Sequence, residues 1–309
     1  MEQINPKGVL YIKLGRGGKW EDEGITTGSL HIGFREASHE LCLTGKWSKV
    51  QKEWVKSGRT ESVATGFTNQ MRQFYEANKN VLWVTFFKGA LWWCSSDSPV
   101  VQLEDKSKMR RTTSAGWSCK DVKGQELLMS RLSGKLLAMQ GFRGTICTVR
   151  EAEYLVNKIN GIEPIEVAEA DAALLQLQNK VEVVIRSLTW QDFEMLIDLI
   201  FRQAGWQRVS VLGGTMRTLD LELISPITNE RYGVQVKAKA DLPLFEKYKT
   251  ESMTDMQGFT QFYFAVHSPA PGLSAADTEM ENVKLLLPAD IARLAVQYGL
   301  AQWVIDKAR

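Results

Sequence analysis

Two domains of mixed helix and strand are predicted, the first built on a small twisted sheet or barrel and the second a mixed α/β domain. Three features of the 309-residue sequence lead there. From about Ile159 to Ile185 the composition shifts, residues 160–185 reading NGIEPIEVAEADAALLQLQNKVEVVI, a Gly and a Pro followed by an Ala- and Leu-rich helical stretch, so a junction falls near the middle of the chain. Seven of the ten tryptophans (Trp20, Trp47, Trp54, Trp83, Trp92, Trp93, Trp117) lie before residue 118. Charge is divided in the same way: residues 1–165 hold 24 Lys and Arg against 17 Asp and Glu (+7), while residues 166–309 hold 14 against 19 (−5). A basic, Trp-rich half joined to an acidic half places phosphate attraction in the first domain.

Composition narrows the class further. Hydrophobic residues are 44% and charged residues 24% of the chain, the profile of a globular protein and neither a disordered nor a fibrous one. The start, MEQINPKG, lacks a basic segment followed by an apolar one, and no apolar run reaches the roughly 18 residues needed to span a bilayer. A cytoplasmic protein with no membrane partner is expected. Cys42, Cys94, Cys119 and Cys147 are too far apart for a zinc knuckle or a disulfide framework. The histidines (His31, His39, His267) form neither a triad nor a ligand spacing, which excludes His-based phosphodiester chemistry.

In the first domain the runs VLYIKL, SLHIGF, VLWVTFF, ALWWC and TICTV are short, β-branched or aromatic, and separated by Gly-containing turns, so they read as strands. Helices are expected within residues 68–78 and within 125–139, where Leu127, Leu128, Leu132, Leu136 and Met139 recur at three-to-four spacing. A connecting helix spans 161–186. Beyond it, Thr189 or Ser187 caps a helix whose inner face is Trp190, Phe193, Ile197, Ile200 or Phe201, and Ala204, ended by Gly205. Strands VSVLGG, LDLEL, YGVQVKAK, QFYFAVHSP and VKLLLP follow, with helices near residues 244–249 and 289–298.

The chemistry lies in two of those strands. Alternation puts Asp220 and Glu222 on one face of LDLEL, and Gln235, Lys237 and Lys239 on one face of the next strand. A hairpin through SPITNERYG brings Asp220 beside Gln235 and Lys237. Phosphodiester hydrolysis needs oxygen donors that hold a hard cation, and a cationic side chain near the attacking water. By itself such a short pattern is most often a solvated strand face.

The wider context resembles a known family. The segments Trp190-x-x-Phe193-Glu194, Ala204-Gly205-Trp206 with Val209, Gly213-Gly214 leading to Leu219-Asp220, and Val234-Gln235-Val236-Lys237 are similar to the Mrr-type branch of the PD-(D/E)xK nucleases, over about 120 residues from Leu188 onward. The resemblance implies a restriction-endonuclease-like α/β/α core over 187–309 and a Mg²⁺-dependent (or Mn²⁺-dependent) endodeoxyribonuclease. It makes Asp220 the metal-binding acid, Gln235 the second ligand, Lys237 the catalytic lysine and Glu194 the helix acid, with the metal held at Asp220, Gln235 and Val236. Gln235 stands where the wider superfamily has an acid, as is usual in this branch, and Met216 and Arg217 lengthen the approach to Asp220.

The first domain, residues 1–160, is similar in pattern and aromatic placement to the PUA-like barrels with flanking helices that include EVE and YTH readers of modified bases. Reading a single base requires extruding it, and aromatic walls recover about 1–3 kcal/mol of stacking per base. Trp20, beside Arg16 and Lys19, and Trp47 and Trp54, in a Lys-rich stretch, are the candidate stacking residues, whereas Trp83, Trp92 and Trp93 lie in apolar runs that suit a core. Arg16, Lys19 and the KSKMRR run (Lys108, Arg110, Arg111) are the candidate phosphate contacts. Together these imply modification-dependent restriction of foreign double-stranded DNA by a homodimer. A non-catalytic nucleic-acid reader on a nuclease-like scaffold, and a defence effector whose first half senses a partner or signal, are the alternatives.

Overall fold

The computed structural model describes residues 2–209, 219–255, 258–273 and 282–309, the side chains of 253–255 excepted. The chain divides into two compact units, residues 1–164 and 165–309. No helix among the described residues is long and apolar enough to cross a membrane.

The first unit contains β1 (Gly8–Ile12), α1 (Glu21–Thr27), β2 (Ser29–Ile32), α2 (His39–Leu43), α3 (Trp47–Lys56), α4 (Glu61–Glu76), β3 (Val81–Phe87), β4 (Ala90–Ser95), β5 (Val101–Gln102), β6 (Lys108–Arg111), α5 (Gly134–Leu137), β7 (Ile146–Thr148) and α6 (Ala152–Ile159). Its strands form two open sheets, β4-β3-β1-β7 and β2-β6-β5, and do not close into the expected barrel among the described residues. The larger sheet is apolar on both faces. Leu10, Ile12, Trp83 and Ile146 pack with Val50, Trp54, Met71 and Phe74 of α3 and α4, while Val9, Tyr11, Val84 and Phe86 face a second cluster with Leu155 and Ile159 of α6. Coverage on both sides explains why these strands read as continuous apolar runs without polar alternation.

In the small sheet the pattern is inverted. Lys108 and Arg110 point inward from β6 and are 0% and 2% exposed. The Lys108 ammonium donates to the carbonyls of Phe34 (2.6 Å) and Ala37 (2.9 Å), and the Arg110 guanidinium donates to Ser96 Oγ (2.8 Å) and the Phe74 carbonyl (2.7 Å). Each cation donates to backbone carbonyls of neighbouring segments at and near the core, and so ties the small sheet to the segments around it. Residues 125–139 are not the expected single helix. Leu127 and Leu136 are buried, but from an irregular segment with bridges Lys120↔Glu126 and Ala90↔Leu128 and only the one-turn α5, capped by Ser133.

The second unit begins with α7 (Ile165–Ile185) and α8 (Trp190–Gln203), then β8 (Gln207–Arg208), β9 (Leu221–Ile224), β10 (Arg231–Ala240), α9 (Leu242–Asp255), β11 (Gln261–Pro269), β12 (Val283–Leu286), α10 (Pro288–Gln297) and α11 (Ala301–Lys307). The expected connecting helix is α7. It belongs to this unit, since Val181 and Ile185 lie in its core. Thr189 Oγ1 accepts from the Asp192 N–H (3.2 Å) to cap α8. Strand order is β12-β11-β10-β9-β8, with β10-β11-β12 parallel and β8-β9-β10 antiparallel. One face of this sheet packs Leu221, Leu223, Val234 and Ala265 on Phe193, Ile197 and Ile291, and the other packs Phe262, Phe264 and Val266 on Phe245 and Tyr248. The unit is therefore a helix-sheet-helix sandwich. The expected strand VSVLGG, the Gly213-Gly214 turn, Met216 and Arg217 fall mainly outside the described residues.

Lys108→Ala is expected to lower the stability of the protein by about 2–3 kcal/mol, because it strips apolar stem packing and removes the donor to the buried Ala37 carbonyl, leaving the Phe34 carbonyl only its long bond from the Ala37 N–H. Thermal melts check this against DNA binding by the folded variant, which is expected to stay at the wild-type level. An unchanged melt with weakened DNA binding would reverse the assignment.

Candidate active site

The β9–β10 hairpin creates the contact on which the site is built. Register pairs Leu221 with Val234 and Glu222 with Gly233, and the Asp220 N–H donates to the Val234 carbonyl at 3.0 Å. Asp220 thereby stands opposite Gln235. Asp220 Oδ2 accepts from Gln235 Nε2 and from the backbone N–H of Val236 (2.6 Å). Gln235 is only 5% exposed, so this amide-carboxylate pair is shielded from water and correspondingly strong.

Close approach of the strands requires Gly233. A Cβ there would stand 2.6 Å from the Phe262 ring and 2.7 Å from Leu219, so a larger residue would push β10 off its neighbours. Lys237, two residues beyond Gln235 on β10, is half-buried and makes no hydrogen bond or ion pair among the described residues. Alternation puts it on the face that carries Gln235. Glu222 is committed elsewhere, in an ion pair with Arg231.

Glu194 reaches the site from α8. Burial and the nearby Asp220 charge raise its carboxyl above the ordinary range, with Arg208 opposing and Asp198 adding to the rise. Arg208 on β8 is drawn to Asp198, one turn along α8 from Glu194, at 3.6 Å. The Asp220 and Asp198 charges thus act on Glu194 with the Arg208 guanidinium as partial compensation, an imbalance that a cation would relieve.

Sequence reasoning missed Tyr248. It lies on α9, 5% exposed, with its ring centroid 4.9 Å from that of Phe264, and its hydroxyl has no hydrogen-bond partner among the described residues. Burial and the Asp220 charge both push its phenol above the ordinary value. The signal available was its place on the apolar face of α9 with Phe245, three residues away. Among the described residues no three His, Cys, Asp or Glu side chains are grouped to hold a metal, so the oxygen donors here are carboxylate, amide and backbone carbonyl.

The eight nucleic-acid candidates of the first unit separate by position. Trp54 is 2% exposed within the core, and Lys108 and Arg110 are the buried ties described above; for these three the structure assigns packing in place of a DNA surface. The spacing Trp47, Val50, Trp54 is the helical pattern that carries Trp54 inward on α3. Trp47 packs partly against the same core and donates its Nε1–H to Glu76 at 2.7 Å. Arg111 is exposed beside the Thr27 carbonyl. Arg16, Lys19 and Trp20 line one cavity.

A raised carboxyl pKa favours the protonated folded state, so the stabilisation from protonating Glu194 is present at low pH and is lost as pH rises through its folded value. Glu194→Gln is expected to raise Tm by about 1–2 °C at neutral pH, and Asp220→Asn to move the Glu194 titration downward. Carbon-detected NMR of the glutamate carboxyls measures the second; an unmoved midpoint would show that Asp220 does not act on it.

Comparison with known proteins follows this geometry. No curated protein matches the chain. A solved structure of the DNA modification-dependent restriction endonuclease AspBHI aligns with 92% of this chain and 80% of its own, at 11% sequence identity and a TM-score of 0.31. Residues 185–267, which hold α8, the β9–β10 hairpin and most of β11, match the Mrr_cat family, described as restriction endonuclease, so the chain carries a restriction-endonuclease domain of the nuclease class.

Proposed function

We propose that the protein is a divalent-metal-dependent DNA endonuclease that cuts modified foreign DNA, with the second unit cleaving and the first unit, a PUA-like reader, selecting an extruded base. The observation that carries the nuclease reading is the junction of Asp220 with Gln235 and Val236 inside the segment that matches the restriction endonuclease family.

The donor set fits a hard cation such as Mg²⁺ (or Mn²⁺): Asp220 offers a carboxylate, Gln235 an amide oxygen and Val236 a backbone carbonyl, with no sulfur or imidazole among them. When bound, such an ion supplies charge neutralisation at the phosphate and an acidified water. The chain's own residues do the rest. Asp220 holds the β10 backbone at Val236 in register, so Gln235 and Lys237 present their side chains together. Lys237 carries an ammonium with no competing anion among the described residues, suited to orienting the attacking water and to meeting the charge that develops on the phosphate. Glu194, whose carboxyl is pushed above the ordinary range by burial and by the Asp220 charge, is suited to accept or return a proton at the water. Cutting both strands requires two such centres, which a symmetric homodimer supplies.

Asp220→Ala and Lys237→Ala are each expected to reduce Mg²⁺-dependent cleavage at least about 100-fold while DNA binding by the full chain persists. The measurement is digestion of genomic DNAs that carry different base modifications, with unmodified DNA as control. Cleavage retained by both variants would remove the assignment. Binding without cleavage of any substrate by the wild type, in Mg²⁺ or Mn²⁺, would leave a non-catalytic reader.

A further inference from the structure

The first unit contains a cavity of about 490 Å³, a size suited to a small ligand. Five cationic residues line it (Lys13, Arg16, Lys19, Arg35 and Arg143), and no carboxylate does. Two of the five are already engaged. The Lys13 ammonium donates to the Phe142 carbonyl at 2.5 Å, and Arg35 pairs with Asp105 at 2.5 Å. Arg16, Lys19 and Arg143 are exposed and have no anionic partner among the described residues.

The remaining lining is two aromatic residues, three glycines (Gly15, Gly33, Gly144) and Thr145. Trp20 and Phe34 face the cavity, and both pack against the main core of the unit. Trp20 is held rigidly: the His31 ring stacks on it at 5.6 Å, and a Cβ on Gly15, whose φ is 86°, would stand 2.8 Å from the indole. The Gly-rich turn LGRGGKW is thereby explained. Its glycines let the chain turn so that the Lys19 ammonium sits 5.3 Å from the Trp20 ring while Arg16 lines the same cavity.

A ligand complementary to this lining carries a flat ring and at least two negative charges. We propose that the cavity is a nucleotide-binding site, in which Arg16, Lys19 and Arg143 take phosphates while the base rests against Trp20 and Phe34. A neutral nucleoside leaves three cations uncompensated, and a purely acidic ligand leaves the aromatic wall unused. The nucleotide is either one unit of a strand or a free molecule; the DNA-processing reading above bears only on that choice.

The test uses the full chain without divalent metal, binding a fluorescein-labelled single-stranded oligonucleotide followed by anisotropy. The variant Arg16→Glu with Arg143→Glu, both exposed positions, is expected to weaken binding at least tenfold and to flatten the salt dependence by roughly 1.4 in log-log slope, the release expected for two phosphate contacts on a single strand. Lys52→Glu with Lys56→Glu, the same charge change on α3 away from the cavity, is the control. A deoxynucleoside monophosphate or triphosphate that competes, where the nucleoside does not, identifies a free nucleotide as ligand. Competition by oligonucleotides alone identifies a strand. Wild-type binding by the cavity variant, or equal loss in the control, overturns the proposal. Cleavage is read separately: if Asp220→Ala still cuts while the cavity variant has lost binding, the nuclease reading falls and the cavity stands.

Discussion

The polar site of the second unit is organised by one carboxylate, Asp220, accepting from the Gln235 amide and the Val236 N–H across the hairpin. Side chains on a strand alternate, so a slip of one residue between β9 and β10 would turn Gln235 and Lys237 to the opposite face. The slip is opposed twice. Asp220 binds the Val236 backbone directly, and the alternate residues Leu221, Leu223 and Val234 are buried against the helices of the other layer. Register is held by apolar burial and read out as polar convergence.

The same carboxylate sets the electrostatics around it. Burial first, and the Asp220 charge second, raise the Glu194 carboxyl and the Tyr248 phenol, so a charged centre acts on groups from the two layers that are otherwise apolar. Such a centre costs stability in the resting protein, and a fold retains a cost of that kind where a cation or a developing charge offsets it. Arg208, drawn to Asp198, moderates the field without reaching neutrality.

In the first unit the excess of positive charge has two different uses. Lys108 and Arg110 are internal fasteners that satisfy carbonyls, whereas Arg16, Lys19 and Arg143 stand at a cavity with no carboxylate in its lining. A count of charges along the chain cannot separate these, because KSKMRR and LGRGGK both read as basic runs with no acid among them. Strand alternation on β6 separates them, since it turns Lys108 and Arg110 inward and leaves Arg111 outside. Trp54 is separated from its neighbours in the same way. A lysine-rich stretch looks like surface, yet α3 places Val50 and Trp54 on its inner side and its lysines on the outer one.

Sequence by itself determined the elements whose signal is local. The α8 cap at Thr189, the apolar strands β1, β3, β4 and β11, and the hairpin that joins Asp220 to Gln235 are each written within about a dozen residues, where propensity and periodicity act. Residues 125–139 show the limit: their leucines recur at helical spacing, but Leu127 and Leu136 are buried from an irregular path that bridges to β4 and its neighbours. Only the tertiary structure decided that the first unit forms two open sheets, that two cations of one basic run are interior, and that Arg143 joins Arg16 across more than a hundred residues of chain. Those facts depend on which distant segments share a face, and burial and long-range pairing are properties of the assembled chain that no short window of sequence contains.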